Sequence, residues 1–197
     1  ELKLINQGGI RLKGTKTEWE RVVHMKHHPP DWDNKFGYSE IFPDRLYLGG
    51  EDDIDDLLYG VTEARNLNGK GTFLNGPATR IDCWIDLRDH RPSNRIIYIP
   101  KEVEYLSFPF QDGNYEEATQ VLPEAKAMLT QRLREGKRVV VTCHQGMSRS
   151  ALLILWHLSE ELSSFQQAWA LLKEKRYIVK PDKKFTPFLE KWSQTYG

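Results

Sequence analysis

The sequence has no net charge, very little cysteine and no long apolar stretch. Its 197 residues carry 28 Lys and Arg against 28 Asp and Glu. A dedicated nucleic-acid binder or an acidic-membrane binder normally shows a basic excess, so this balance argues against both partners. Two cysteines cannot build a disulfide framework, which points to a reducing compartment and an expected cytoplasmic location. The longest apolar run, Ala151 to Trp156, is six residues, far short of the roughly 20 that span a bilayer. No signal-peptide pattern opens the chain. Metal-ligand spacing is missing too. Asp52, Asp53, Asp55 and Asp56 lack the alternation and closing Glu of an EF-hand, and His24, His27 and His28 fit no zinc pattern. Neither a metal nor a cofactor is expected.

What is present suits one globular domain with a short extension. Apolar residues at 39% and aromatics at 11% are enough for a packed core and exclude general disorder. The zero total conceals segregation: residues 1–30 carry net +3, residues 31–60 net −7 and the last 27 residues net +4. Such stretches read as solvated faces. His27-His28-Pro29-Pro30 cannot continue a helix, so residues 1–32 are expected to be an N-terminal extension and 33–197 the main domain. Gly69, Gly71, Gly76 and Pro77 mark a surface loop over residues 66–80.

Within the main domain, strand and helix signals alternate. Arg45 to Leu48, Ile81 to Leu87, Val103 to Phe108 and Arg138 to Thr142 read as short strands, with Arg95 to Ile99 a further edge strand. Val121, Leu122, Ala125, Met128, Leu129 and Leu133 have helical spacing that ends at Gly136, and Pro123 either opens or kinks that helix. Ser148 to Leu162 reads as a helix apolar on nearly every side, hence central. Ser163-x-x-Gln166 resembles a capping box for a helix with Phe165, Trp169 and Leu172 on its face. Phe185, Phe188, Leu189 and Trp192 form a last stripe, read as core. The expected fold class is α/β: a central twisted, mostly parallel sheet of four to five strands with helices on both faces.

One segment carries chemistry. Val139-Val140-Val141-Thr142 is a buried strand that delivers Cys143 at its C-terminal end. His144-Gln145-Gly146-Met147-Ser148 then turn the chain into a helix that begins at Arg149-Ser150. Ligands of open α/β sheets bind at that end of the strands. Successive loop amides and the helix dipole favour a phosphate there, and the same field favours a thiolate at Cys143. Arg149 offers a planar fork for two phosphate oxygens, while Ser150 can donate to the sulfur as it leaves. Residues His144 to Arg149 are therefore the expected phosphate-binding loop. A buried structural thiol would explain the cysteine alone, but not the glycine, the arginine and the helix start together.

Cys143-x5-Arg149-Ser150, with Gly146 and Ser148 inside it, resembles the signature loop of cysteine-dependent protein phosphatases, and Gly-Met-Ser-Arg-Ser is most similar to the dual-specificity branch. Leu46-Tyr47-Leu48-Gly49-Gly50 resembles the opening strand of that domain, and Arg176 to Pro181 with Phe185 and Leu189 its close. The resemblance implies a protein-tyrosine-phosphatase-like fold, a phosphocysteine intermediate, no metal, and phosphorylated proteins as substrates. It also requires a general acid upstream of the nucleophile. Asp112, in Phe108-Pro109-Phe110-Gln111-Asp112-Gly113, fits that place, with Phe108 and Phe110 expected to desolvate it. Asp86 and Asp89 are the rivals. Thr142 departs from the family pattern, which usually has histidine before the nucleophile; its hydroxyl is expected to bond a loop carbonyl. Cys83 reads as a packed thiol, with a minority reading as a disulfide partner protecting oxidised Cys143. Two other functions fit the scaffold: a phosphatase of inositol lipids or glycans, and a non-catalytic phosphate-binding module.

Overall fold

In the computed structural model, the described residues are 38–51, 81–89 and 102–197, together with two short strands near the N-terminus. Those strands, β1 (Leu2–Ile5) and β2 (Arg11–Gly14), pair antiparallel with each other. The boundary expected near residue 32, the loop 66–80, most of the acidic run and the edge strand Arg95–Ile99 lie outside the described residues.

The main sheet has the order β3-β4-β7-β5-β6. Its strands are β3 (Ser39–Phe42), β4 (Leu46–Gly50), β5 (Cys83–Asp86), β6 (Glu104–Ser107) and β7 (Val139–Cys143). All pairings are parallel except that of β3 with β4, so the expected mostly parallel sheet is found, extended by β3. The run Val139-Val140-Val141-Thr142-Cys143 is buried throughout, as a central parallel strand covered on both faces must be.

Among the described residues there are four α-helices: α1 (Tyr115–Arg134), between β6 and β7, and then α2 (Arg149–Glu161), α3 (Phe165–Lys175) and α4 (Thr186–Thr195) after β7. The first begins earlier than its apolar spacing suggests, because Asn114 caps it by accepting from Glu117 N. Pro123 therefore lies inside α1 rather than opening it. At its end Gly136 N donates to Leu133 O and Lys137 N to Arg132 O, the paired bonds of a Schellman close. The expected capping box at Ser163 is displaced by one residue. Ser164 is the cap, accepting from Gln167 N at 3.2 Å, while Ser163 takes a positive φ of 50° in the preceding turn.

Alternation along the strands divides the core. Leu46, Leu48, Ile85, Val139 and Val141 join one cluster with Leu122, Leu129, Leu152, Leu155 and Phe185 of the helical side. Tyr47, Trp84 and Val140 point the other way and form a second cluster with Ile81 and Val103. Helix α2 is buried along nearly its whole length, which explains its lack of a polar stripe.

Cys83 and Cys143 do not approach one another. Cys83 pairs with Val139 at one end of the sheet and Cys143 lies four residues further along β7, roughly 13 Å at 3.3 Å per residue. No disulfide can bridge that gap, so the protective-disulfide reading is corrected. Burial, reinforced by the neighbouring Glu104 carboxylate, pushes the Cys83 thiol up to about 12, consistent with a packed thiol.

Between α1 and α2, His157 Nδ1 sits 2.9 Å from Thr130 Oγ1 in the core. Burial pushes this imidazole down to about 4, with Lys126 and Arg134 adding to the effect and Glu161 opposing it. The folded state thus binds its proton less readily than an unfolded chain does. That contribution to stability is full above about pH 6.5 and is lost as pH falls toward the folded value. Urea unfolding should show a loss of about 2 kcal/mol from this group between about pH 7.5 and pH 5, and His157→Gln should flatten that dependence.

Candidate active site

Strand β7 ends at Cys143 between β4 and β5, and α2 starts at Arg149. Residues 144–148 make the connection, and their carbonyls are held from outside the turn. His144 O accepts from Glu51 N at 3.0 Å and Met147 O from Lys180 N at 2.8 Å. Gln145 O accepts from Arg176 Nη2 at 3.1 Å and Gly146 O from Arg176 Nε at 2.8 Å. With four successive carbonyls drawn outward, the peptide planes turn their amides toward the centre, which is the geometry of an anion nest.

Two close approaches fix the turn further. Gly146 has φ +69°, and a Cβ there would lie 2.6 Å from the carbonyl carbon of Gly49. A Cβ on Gly50 would lie 2.8 Å from His144 O. The end of β4 is thus pressed directly against the turn.

Inside it, Cys143 Sγ lies 3.1 Å from Ser150 Oγ, and both residues are buried. Arg149 is also buried. Its Nη1 donates to Phe110 O at 2.9 Å and to Asp89 Oδ1 at 3.2 Å. Its Nε is buried with no hydrogen-bond partner. Such an orphaned guanidinium nitrogen is costly unless a ligand meets it. Helix α2 has no side-chain cap, so its first-turn amides also remain for a ligand.

Asp112 reaches the same cavity, of about 480 Å³, with its Oδ1 accepting from Ser148 Oγ at 2.7 Å. It is exposed, whereas Phe110 turns fully into the core, so the expected aromatic enclosure of the carboxyl is not found. Asp89 lines the cavity as well. Asp86 does not serve as a rival acid, because Arg88 and Tyr105 engage its carboxylate. Burial opposes the charge of Arg88, but Asp86 and Glu51 outweigh it and hold the guanidinium above its ordinary range. Glu51 also lies 3.0 Å from His144 Nδ1. Among the described residues no cluster of three His, Cys, Asp or Glu side chains could hold a metal.

Thr142 behaves differently from expectation. Its hydroxyl accepts from Trp84 Nε1 at 2.8 Å, across to β5 and away from the loop carbonyls. The sequence reading also missed Arg176 in a working role. This guanidinium is fully buried, and its Nη1 donates to Ser39 Oγ at 3.0 Å. No local pattern marks it, since its acceptors lie about 30 and 137 residues away in sequence.

Residues 77–195 match the model of the family described as dual specificity phosphatase, catalytic domain. A Slingshot homolog protein phosphatase of Xenopus laevis is 29% identical over 81% of this chain, but the chain spans only 20% of that relative's length. The serine/threonine/tyrosine-interacting protein of Mus musculus is 21% identical, over 74% of this chain and 72% of its own. Among solved structures, the human tyrosine phosphatase-like serine/threonine/tyrosine-interacting protein superposes with a TM-score of 0.59 at 21% identity, covering 81% of this chain and 97% of that one. A mouse putative dual specificity phosphatase complexed with zinc tungstate gives 0.58 at 22% identity, covering 85% and 89%. These two share the fold, including the mixed five-stranded sheet.

If Arg176 holds the turn open, Arg176→Lys should keep the charge yet lose the two-carbonyl bridge. Vanadate affinity measured by calorimetry should fall at least about tenfold, the equivalent of one charge-assisted hydrogen bond. An unchanged affinity would remove Arg176 from the site.

Proposed function

Because the chain belongs to the dual specificity phosphatase family, we propose that it hydrolyses phosphomonoesters of phosphoproteins, both phosphotyrosine and phosphoserine or phosphothreonine, through a phosphocysteine at Cys143, with residues 33–197 as the catalytic unit. The observation that carries this reading is the buried, partnerless Nε of Arg149 beside a thiol at the mouth of an outward-facing carbonyl turn.

In the first step the Cys143 thiolate attacks phosphorus while the bond to the leaving oxygen breaks. The amides of the 144–149 turn and Arg149 hold the equatorial oxygens. Asp112 gives its proton to the departing oxygen, releasing the dephosphorylated side chain. In the second step water attacks the phosphocysteine, the Asp112 carboxylate takes the water proton, and the S–P bond breaks. Ser150, 3.1 Å from the sulfur, donates to the thiolate as it leaves. Phosphate departs and the enzyme is restored. This catalysis is positioning and electrostatics, with every group supplied by the chain.

A purely phosphate-binding module would need none of this acid chemistry, yet Cys143, Arg149 and Asp112 line one cavity, with Ser150 set against the Cys143 sulfur. The inositol-lipid alternative is disfavoured by a turn without lysine and by Glu51 and Asp89 in the cavity wall, which oppose a headgroup bearing several phosphates.

Cys143→Ser should abolish turnover of an aryl phosphate, while wild-type activity should be vanadate-sensitive and indifferent to chelators. Release of phosphate from a phosphotyrosine peptide, a phosphothreonine peptide and an inositol lipid, assayed in parallel, should favour the two peptides. Retained activity in the serine variant, or preference for the lipid, would overturn the proposal.

A further inference from the structure

Ser148 stands at the N-cap of α2 but does not cap it. Its φ and ψ are −115° and −79°, and its side chain makes no bond to the helix amides, the usual reason for serine at that place. The hydroxyl is committed elsewhere in both directions. It accepts from Asp182 N at 2.8 Å and donates to Asp112 Oδ1 at 2.7 Å. A backbone N–H can only donate, so it occupies an oxygen lone pair and leaves the hydroxyl proton for the carboxyl.

We infer that Ser148 is a positioning residue for Asp112, which holds the acid–base carboxyl over the phosphate turn and decides which of its oxygens carries the transferable proton. The inference rests on the hydrolase reading given above and adds a role for a side chain that this reading leaves unused. In a protonated carboxyl the carbonyl oxygen is the better acceptor. A hydroxyl donating to Oδ1 therefore places the acidic proton on Oδ2, the oxygen left free for the substrate. After that proton is transferred, the same bond stabilises the carboxylate that must serve as base in the second step.

The surroundings make this a built contact. Arg149 Nη1 donates to Phe110 O, so consecutive residues of the turn, Ser148 and Arg149, hold two points of the acid loop, one through a side chain and one through the backbone. On the other side, a Cβ on Gly113 would lie 3.2 Å from the Asp182 carboxyl. Asp182 is itself fixed by accepting from Lys184 N at 2.9 Å. Ser148 is the joint between the acid loop and the 180–184 segment.

The test uses the full chain with Ser148→Ala and Ser148→Thr. Each is assayed on a dinitrophenyl phosphate, whose leaving group needs no proton, and on a phosphothreonine peptide, whose alkoxide does. In Ser148→Ala the loss of kcat on the peptide should exceed the loss on the activated ester by at least about tenfold, within the range of a general acid. Ser148→Thr should restore most of the peptide activity. Adding Asp112→Asn to Ser148→Ala should cost little more than Asp112→Asn alone, because the two act as one unit. Equal losses on both substrates, or fully additive losses, would make Ser148 a structural residue and overturn the inference. Cys143→Ser separates the two levels: if it remains active, the hydrolase reading fails and this inference fails with it. If it is inactive while Ser148→Ala shows no substrate dependence, only the inference fails.

Discussion

Everything at this site depends on the outward rotation of four consecutive carbonyls, His144 to Met147. The turn joins a buried strand to a buried helix, and each of these four carbonyls has a protein donor. The fold supplies these from three directions: the residue after β4, the Arg176 guanidinium, and the backbone of Lys180. Reversing one carbonyl would both orphan it and put negative oxygen where a phosphate oxygen must sit. The anion site is thus a by-product of satisfying the backbone from outside, and the positive potential needs no basic surface. This resolves the zero net charge with which the sequence opens: attraction for an anion is generated within a dozen residues.

The same constraint explains parts of the fold remote from the chemistry. Strand β3 runs antiparallel at the sheet edge, and its Ser39 gives a further acceptor to Arg176. Burying a guanidinium is costly unless hydrogen bonds compensate it, so the edge strand, the turn and the segment after α3 stabilise one another. Glycine at 50 lets β4 approach the turn closely enough for Glu51 N to reach His144 O.

Much of this was legible in the sequence. The continuous apolar run at 139–141, the cysteine, the glycine and the helix start identified the strand–turn–helix unit, because all of its determinants are contiguous. Asp112 was placed by its position after a strand and lies in the cavity. What stayed hidden was whatever depends on contacts far apart in the chain. Arg176 looked like one more charge in a basic C-terminal stretch, and Ser39 belonged to a strand too short and mixed to show alternation. The shifted cap at Ser164 was hidden for a different reason: two adjacent serines satisfy the same pattern, and only the positive φ at Ser163 decides between them.

Thr142 shows how a departure from a family pattern can be absorbed. Alternation on β7 sends Cys143 to the helical cluster and residue 142 to the opposite face. There Trp84, one strand away, buries its indole and needs an acceptor for Nε1; the Thr142 hydroxyl provides it at 2.8 Å. The threonine is therefore matched to Trp84 and not to the turn. Whatever organises the thiol must then come from its own side of the sheet, where Ser150 and the amides of the turn lie. On that side the Arg176 guanidinium also binds two of the turn's carbonyls at once.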